Sequence, residues 1–261
     1  MDYIKDFATH SDYETYMSGD KLLPNVSLCE NENDVHYNIW PGISAIFNVT
    51  STSSRTLLMG MMSESYFTEM WIDGVKQPSI VTSYTFDTTG EHMVKFTLAN
   101  NTKIENNLFQ ACPNLSGLVL PRTITSIGNY AINSQSLREI VIPDKVTTIG
   151  TGAFESCGLT NIKFGKRLTT IGNSAFKGCL NLASVTIPKN ITKIGSDAFY
   201  NCRNLVSVTI ENPIPPSVGG STFGLNRSGR KIYVPSESVN LYKSSFIWSN
   251  YASDIEPIPT T

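Results

Sequence analysis

The sequence predicts a mixed α/β repeat protein. A solenoid with a parallel sheet is expected over residues 104–212, preceded by a small antiparallel β-sandwich module over 41–103 and closed by a C-terminal cap and tail over 213–261; an N-terminal segment, 1–40, stands in front. Three observations predict this. Ile-Gly pairs recur at Ile127-Gly128, Ile149-Gly150, Ile171-Gly172 and Ile194-Gly195, in steps of 22, 22 and 23 residues, with a degraded copy at Ile104-Glu105. A fixed period of this length marks a solenoid whose units bury their apolar faces only against their neighbours. Between 41 and 103, runs of β-branched and aromatic residues alternate with turn residues, as in a small all-β unit. At 213–216 the repeat is interrupted by Pro-Ile-Pro-Pro.

Residues 1–40 are aromatic and polar, with Tyr3, Phe7, Tyr13 and Tyr16. Residues 11–17 read as a short helix that Ser11 caps, with Glu14 three residues on as in a capping box. Residues 24–30 read as extended and 31–34 as a solvated loop. Glu30, Glu32 and Asp34 lack the spacing of a calcium-binding loop. In the next segment, 43–50, 55–62 and 67–72 read as strands, the last followed by a turn at Asp73-Gly74. Residues 83–86 and 92–98 flank 87–91, which reads as a hairpin loop.

One repeat runs Leu182, Val185, Ile187-Pro188, then Ile191, Ile194-Gly195, then Ala198-Phe199 and Cys202. The first piece ends in period-2 alternation, a strand with one buried face, and proline stops it because it cannot donate to the next ladder bond. The second apolar pair turns the chain back, and glycine marks a sharp bend or a close backbone approach. Ala-Phe-x-x-Cys reads as a short helical turn, with Phe199 and Cys202 on one face. Phe109, Phe154, Phe176 and Phe199 are expected to stack as a ladder, with Ile132 in place of phenylalanine in the second coil; Gln135 stands where cysteine is expected and Gly165 where proline is.

The motifs Leu-x-x-Val-x-Ile-Pro, Val/Ile-Thr-x-Ile-Gly and Ala-Phe-x-x-Cys resemble the BspA-like, surface-antigen type of leucine-rich repeat protein of Bacteroidales. The resemblance covers 104 to about 212 and implies a leucine-rich-repeat solenoid that serves in adhesion at the cell surface or after secretion. The tract 86–96 is similar to the module that precedes such repeats, and its role would be to cover the apolar end of the first coil. The end of the chain resembles the cap of the same family: a strand at 231–235, a helix at 236–243 with Ser236 as N-cap, and Trp248, Tyr251 and Ile255 beneath it.

Composition narrows the function. The net charge is −2 and 16% of residues are charged, which argues against a nucleic-acid partner. No stretch is long and apolar enough to span a membrane, and no signal peptide is visible at the N-terminus. Cys112, Cys157, Cys179 and Cys202 share one place in the repeat and read as a column of buried thiols, with a bridge between adjacent coils left open by their spacing. Cys29 stands alone and reads as structural. His10, His36 and His92 show no metal-ligand spacing, and no nucleophile or phosphate-binding motif is present. Neither an enzyme nor a cofactor is therefore expected.

The outward residues of the repeat strands form the candidate binding face. One row is Val119, Val141, Lys163, Thr186 and Thr209, and the other is Gly117, Glu139, Asn161, Ser184 and Ser207; a third, at the strand starts, is Ser116, Arg138, Thr160, Ala183 and Val206. Parallel stacking aligns each row, and exposed solenoid sheets are recurrent binding surfaces. The expected function is a non-enzymatic binding module for a protein or glycan ligand. The alternative is a structural subunit of a larger assembly, such as a phage or prophage virion or fibre component. The opening residues favour it, because they resemble those of Bacteroidales mobile-element proteins.

Overall fold

The computed structural model describes residues 42–60, 66–99 and 102–259. The readings made for 1–40, including the helix at 11–17, the loop at 31–34, Cys29, His10 and His36, lie outside them.

In chain order the first strands are β1 (Ile43–Val49), β2 (Thr56–Leu57), β3 (Phe67–Ile72), β4 (Val75–Lys76), β5 (Ser83–Tyr84) and β6 (Gly90–Leu98). The turn at Asp73-Gly74 closes β3 onto β4, with both residues at positive φ (48° and 81°); this suits a two-residue hairpin because its twist matches that of the strands. The hairpin expected across 87–91 does not form. Strand β5 pairs with β2, while β6 pairs with β1 and β3. The nine residues of β6 carry a buried face of Val94, Phe96 and Leu98, which a central strand needs and a two-stranded ribbon cannot cover.

The coils follow with β7 (Lys103–Ile104), β8 (Leu115–Val119), β9 (Ser126–Ile127), β10 (Glu139–Val141), β11 (Thr148–Ile149), β12 (Asn161–Lys163), β13 (Thr170–Ile171), β14 (Ser184–Ile187), β15 (Lys193–Ile194), β16 (Ser207–Ile210), β17 (Ser217–Val218), β18 (Lys231–Val234) and β19 (Ile255–Pro257). The second apolar pair of each repeat does more than turn the chain. It forms its own strand, and these strands make one six-stranded parallel sheet in the order β17-β15-β13-β11-β9-β7. The expected single sheet of repeat strands is instead divided. Strand β8 pairs antiparallel with β1, β10 pairs with β12, and β14-β16-β18-β19 form a separate ladder.

The division follows the spacing that precedes each strand. Three steps separate Cys112 from Leu115, Cys179 from Leu182 and Cys202 from Leu205; only two separate Gln135 from Leu137 and Cys157 from Leu159. The shorter corners deliver the three-residue strands β10 and β12, and the longer ones deliver the four-residue strands β14 and β16. Where the corner length changes, the ladder stops.

The third wall is not helical. Its N–H groups alternate between three-residue turns, such as Cys157 N–H to Phe154 C=O (3.3 Å), and bonds to the next coil, such as Phe154 N–H to Ala175 C=O (2.8 Å) and Ser156 N–H to Lys177 C=O (2.7 Å). Two left-handed residues per coil make this possible: Gly152 and Ser156, Ser174 and Gly178, Asp197 and Asn201. Glycine and short polar residues tolerate that conformation best. The coil at 130–134 departs from the rule. Gln135 is exposed there, and Ser134 is the buried residue, its hydroxyl donating to Leu115 C=O at 2.8 Å.

Inside these walls Phe154, Phe176, Phe199 and Phe223 stack nearly parallel, with centroids 5.2, 5.3 and 5.8 Å apart. Phe109 does not join them, because Ile132 lies next to it; it meets Phe96 of β6 at 6.1 Å. The four described cysteines are free and buried, so no bridge links the coils. Cys157, Cys179 and Cys202 each donate Sγ–H to the carbonyl of Ile132, Phe154 and Phe176, at 3.5, 3.4 and 3.2 Å. Asn226 takes the same role one coil later, its amide reaching Phe199 C=O at 2.8 Å.

Beyond the ladder, Ser236–Ser238 is a 3₁₀ turn and α1 (Val239–Ser244) follows it. Ser236 does not cap α1; Pro235 precedes the 3₁₀ turn and Ser238 precedes α1, and neither makes a side-chain cap bond. Trp248 and Tyr242 pack edge to face at 5.1 Å. Trp248 donates its indole N–H to Pro216 C=O, and Tyr242 its hydroxyl to Asn212 C=O, both at 2.7 Å. The buried Arg230 guanidinium lies 5.5 Å from the rings of Phe223 and Tyr251 and bonds Asp254 at 2.6 Å.

Three outcomes follow from this packing. A Cβ at Gly150 would sit 2.6 Å from the Gly128 carbonyl carbon, so Gly150→Ala is expected to destabilise by about 1–3 kcal/mol, measured by urea unfolding. Truncating Phe176, stacked on both sides, is expected to cost about 3–5 kcal/mol as Phe176→Ala, whereas a loss under about 1 kcal/mol would show the ladder to be slack. The third outcome is alkaline unfolding. Burial pushes the thiols of Cys112, Cys157 and Cys202 up to about 12 from 9, and Cys179 well upward. Below pH 9 both states hold these protons; from pH 9 towards 12 only the unfolded state releases them. Stability then falls by up to about 1.4 kcal/mol per thiol per pH unit. Buried Lys95, lowered by desolvation to about 8 from 10.5, acts oppositely between those values, but it is one group against four. Unfolding free energies in reductant should fall between pH 9 and 10; a flat profile would contradict the buried-thiol account.

Candidate functional site

The strand backbones fix where the candidate side chains stand. Inward residues Val185, Ile187, Val208 and Ile210 are buried, so the alternate residues Ser184, Thr186, Ser207 and Thr209 project outward. Register places Ser184 beside Ser207 and Thr186 beside Thr209. In the other ladder Glu139 stands beside Asn161 and Val141 beside Lys163. Asn161, Lys163, Ser184 and Thr186 are exposed; Glu139, Val141, Ser207 and Thr209 are half-buried. The two groups share no ladder, but β12 and β14 still lie side by side, so the rows continue across the break as one face.

The N-terminal end of the rows is different. Val119 is 43% exposed, but Gly117 is buried, since Ile46 of β1 lies against it in register. Its absent Cβ would stand 2.5 Å from Ile46 Cδ1. At the strand starts, Thr160 is tied down by its hydroxyl and its N–H, which both donate to Arg138 C=O, at 3.1 and 2.7 Å.

The rows also run further than the repeat pattern indicated. Lys231 lies in register with Ser207, Tyr233 with Thr209, and Glu256 with Tyr233. Lys231 pairs with Glu256 across β18 and β19. The signal was present in the alternation of residues 231–234, a strand that falls outside the 22-residue period. The longer patch therefore offers hydroxyls, one half-exposed phenol and one ion pair on a rigid backbone. It is suited to hydrogen bonding and flat apolar contact.

Elsewhere, Asp73 accepts from His92 Nδ1 at 2.6 Å and from Met93 N–H at 2.9 Å. This pair anchors the β3–β4 turn to β6. Among the described residues no three His, Cys, Asp or Glu side chains gather as a metal site, and no helix is long and apolar enough to cross a membrane.

Comparison with known proteins agrees with the fold. The profile of the BspA type leucine rich repeat region matches residues 63–157 and 126–253, in six copies. No curated protein matches the chain. Among solved structures it is similar to a leucine-rich repeat protein from Bacteroides ovatus (24% identity, 51% of this chain and 46% of that one, TM-score 0.35). It is also similar to the pneumococcal vaccine antigen PcpA (20%, 62% and 44%, TM-score 0.45) and to a leucine rich cell surface protein from Faecalibacterium prausnitzii (20%, 60% and 61%, TM-score 0.29). The chain thus spans about half the length of the first two and under two thirds of the third. With the family profile spanning well over half of its residues, this chain belongs to the BspA type leucine-rich repeat family.

Proposed function

We propose that this protein is a non-enzymatic binding module of the cell surface or of the secreted fraction, holding a protein or glycan ligand against the outward faces of its repeat strands. The observation that carries the reading is the patch on β14, β16 and β18, where Ser184, Ser207 and Lys231 form one line and Thr186, Thr209 and Tyr233 the next. Their strands are held by ladder bonds on one side and by a buried core on the other, so little ordering entropy remains to be lost on contact. The β10–β12 pair, with Glu139, Asn161, Val141 and Lys163, is a second part of the same face. Family membership supports a binding role, and the surface location rests on it.

The same proposal assigns the ends of the chain. Residues 41–103 act as a sandwich-like capping module in which the β2–β5 ladder forms a second layer; β1 pairs with β8, and Tyr66 donates to Lys103 C=O. Residues 213–261 act as the C-terminal cap, with Trp248, Tyr242 and Arg230 closing the aromatic stack. Within them, Val218 and Phe223 continue the sheet and the ladder begun in 104–212.

The test is binding of the protein to an array of matrix proteins and neutral glycans, beside a Thr186→Glu/Thr209→Glu/Tyr233→Ala variant. These side chains lie on the outer face, so the variant should still fold, with some loss of thermal stability from the paired glutamates, while the strongest interaction weakens at least about tenfold, or about 1.4 kcal/mol. Retention of full affinity by a folded variant would remove the strand face as the binding surface.

A further inference from the structure

We propose that the corner between the two parallel sheets is a separate binding surface for an extended acidic polysaccharide. Each coil turns this corner directly after its strand, at Pro121, Pro143, Gly165 and Pro188, and the next two residues face outward, except Arg122, whose Nη2 is buried without a hydrogen-bond partner. Those positions hold Arg122, Lys145, Lys166, Arg167 and Lys189, with one carboxylate, Asp144. Lys145, Lys166, Arg167 and Lys189 are exposed, and Arg122 is half-buried. This concentration of four exposed cations sits in a chain whose net charge is −2.

The stacking is direct. A Cβ on Gly165 would stand 2.4 Å from Pro143 O, so one corner lies immediately on the one before. Asn190 donates its amide to Lys166 C=O at 2.5 Å, tying the next corner in the same way. Asp144 lies within the line, accepting from Lys166 N–H at 3.0 Å and standing 3.6 Å from Lys166 Nζ. Register then places Lys145 beside Arg167 and Lys166 beside Lys189, at one coil spacing, about 4.8 Å between neighbouring chains. Like charges so placed repel and lower stability. The fold does not require them, since Thr123 and Asn190 fill equivalent positions. A polyanion laid along the line would offset the repulsion and release its own counterions.

The shape of the line selects the class of partner. It is two side chains wide, and no corner position carries an aromatic ring on which a nucleic-acid base would stack. It is flanked on the sheet side by neutral hydroxyls of Thr147, Thr169 and Thr192, each donating to the coil before. It ends at Glu211, which follows β16 where Pro188 follows β14. A sugar ring is about as long as one coil is high, so sulfate or carboxylate groups on successive rings meet successive cations.

The experiment measures heparin and hyaluronan binding by titration calorimetry across a salt series. The full chain is compared with Lys145→Glu/Arg167→Glu/Lys189→Glu, and with Thr186→Glu/Thr209→Glu on the strand face. Heparin should bind, and charge reversal at the corner should weaken it at least about 100-fold and lower the slope of log affinity against log salt by about three. The strand-face variant should retain binding, which separates this surface from the one proposed above. Binding of heparin without hyaluronan would assign sulfate as the anion, and binding of both would admit carboxylate. Unchanged heparin affinity in the folded charge-reversed protein, or equal competition by a single-stranded oligonucleotide of the same length, would overturn the proposal.

Discussion

Successive coils approach one another closely at every Ile-Gly corner, and the rest of the solenoid is arranged around that recurring approach. At Gly128, Gly150, Gly172 and Gly195 a β-carbon would lie within 2.4–2.6 Å of atoms of the coil before. This close approach accompanies the pairing of the two-residue strands β7, β9, β11, β13, β15 and β17, which have few ladder bonds to spare. The isoleucine of each pair then points into the core, and the register of one coil is passed to the next. Solenoid stability is a sum of such neighbour terms, so the corner sets the pitch for every other contact.

Once the pitch is set, the interior follows. One ring per coil produces the stack from Phe154 to Phe223, and one thiol per coil produces the column of sulfurs donating to carbonyls of the coil before. Both columns end where the repeat is imperfect. Ile132 interrupts the phenylalanines, and β6 supplies Phe96 to Phe109 on the far side. At the other end Asn226 takes over from cysteine, and Trp248, Tyr251 and Arg230 surround Phe223. The stack is closed by aromatic side chains from outside the regular coils at Phe223, whereas at Phe154 it gives way to Ile132, with Phe109 and Phe96 beyond it.

The same periodicity writes two different surfaces on the outside. On the strand face, alternation separates buried Val and Ile from outward Ser, Thr, Lys and Tyr. At the corner, stacking brings together cations that lie a full coil apart in the sequence. Recognition on either surface depends on spacing held by the backbone.

Sequence alone determined the solenoid, its period, the buried column of Leu, Ile, Phe and Cys, and the outward identity of Val141, Lys163, Thr186 and Thr209. These follow from local periodicity, which needs no knowledge of distant residues. Tertiary structure decided what the period could not express. The second apolar pair became a continuous sheet because its partners sit one coil away. The Ala-Phe-x-x-Cys turn stayed non-helical because alternate N–H groups found acceptors in the next coil. The hydrogen-bond ladder of the strand face broke where the spacing before the strand changes between three steps and two, a difference visible in the spacing of Cys179 and Leu182 against Cys157 and Leu159 but without meaning until the strands are laid side by side. Gly117 lost its place on the face to Ile46, and Tyr233 gained one beside Thr209. Both changes come from pairing between chain segments that no repeat relates, and such pairing is settled by packing in three dimensions.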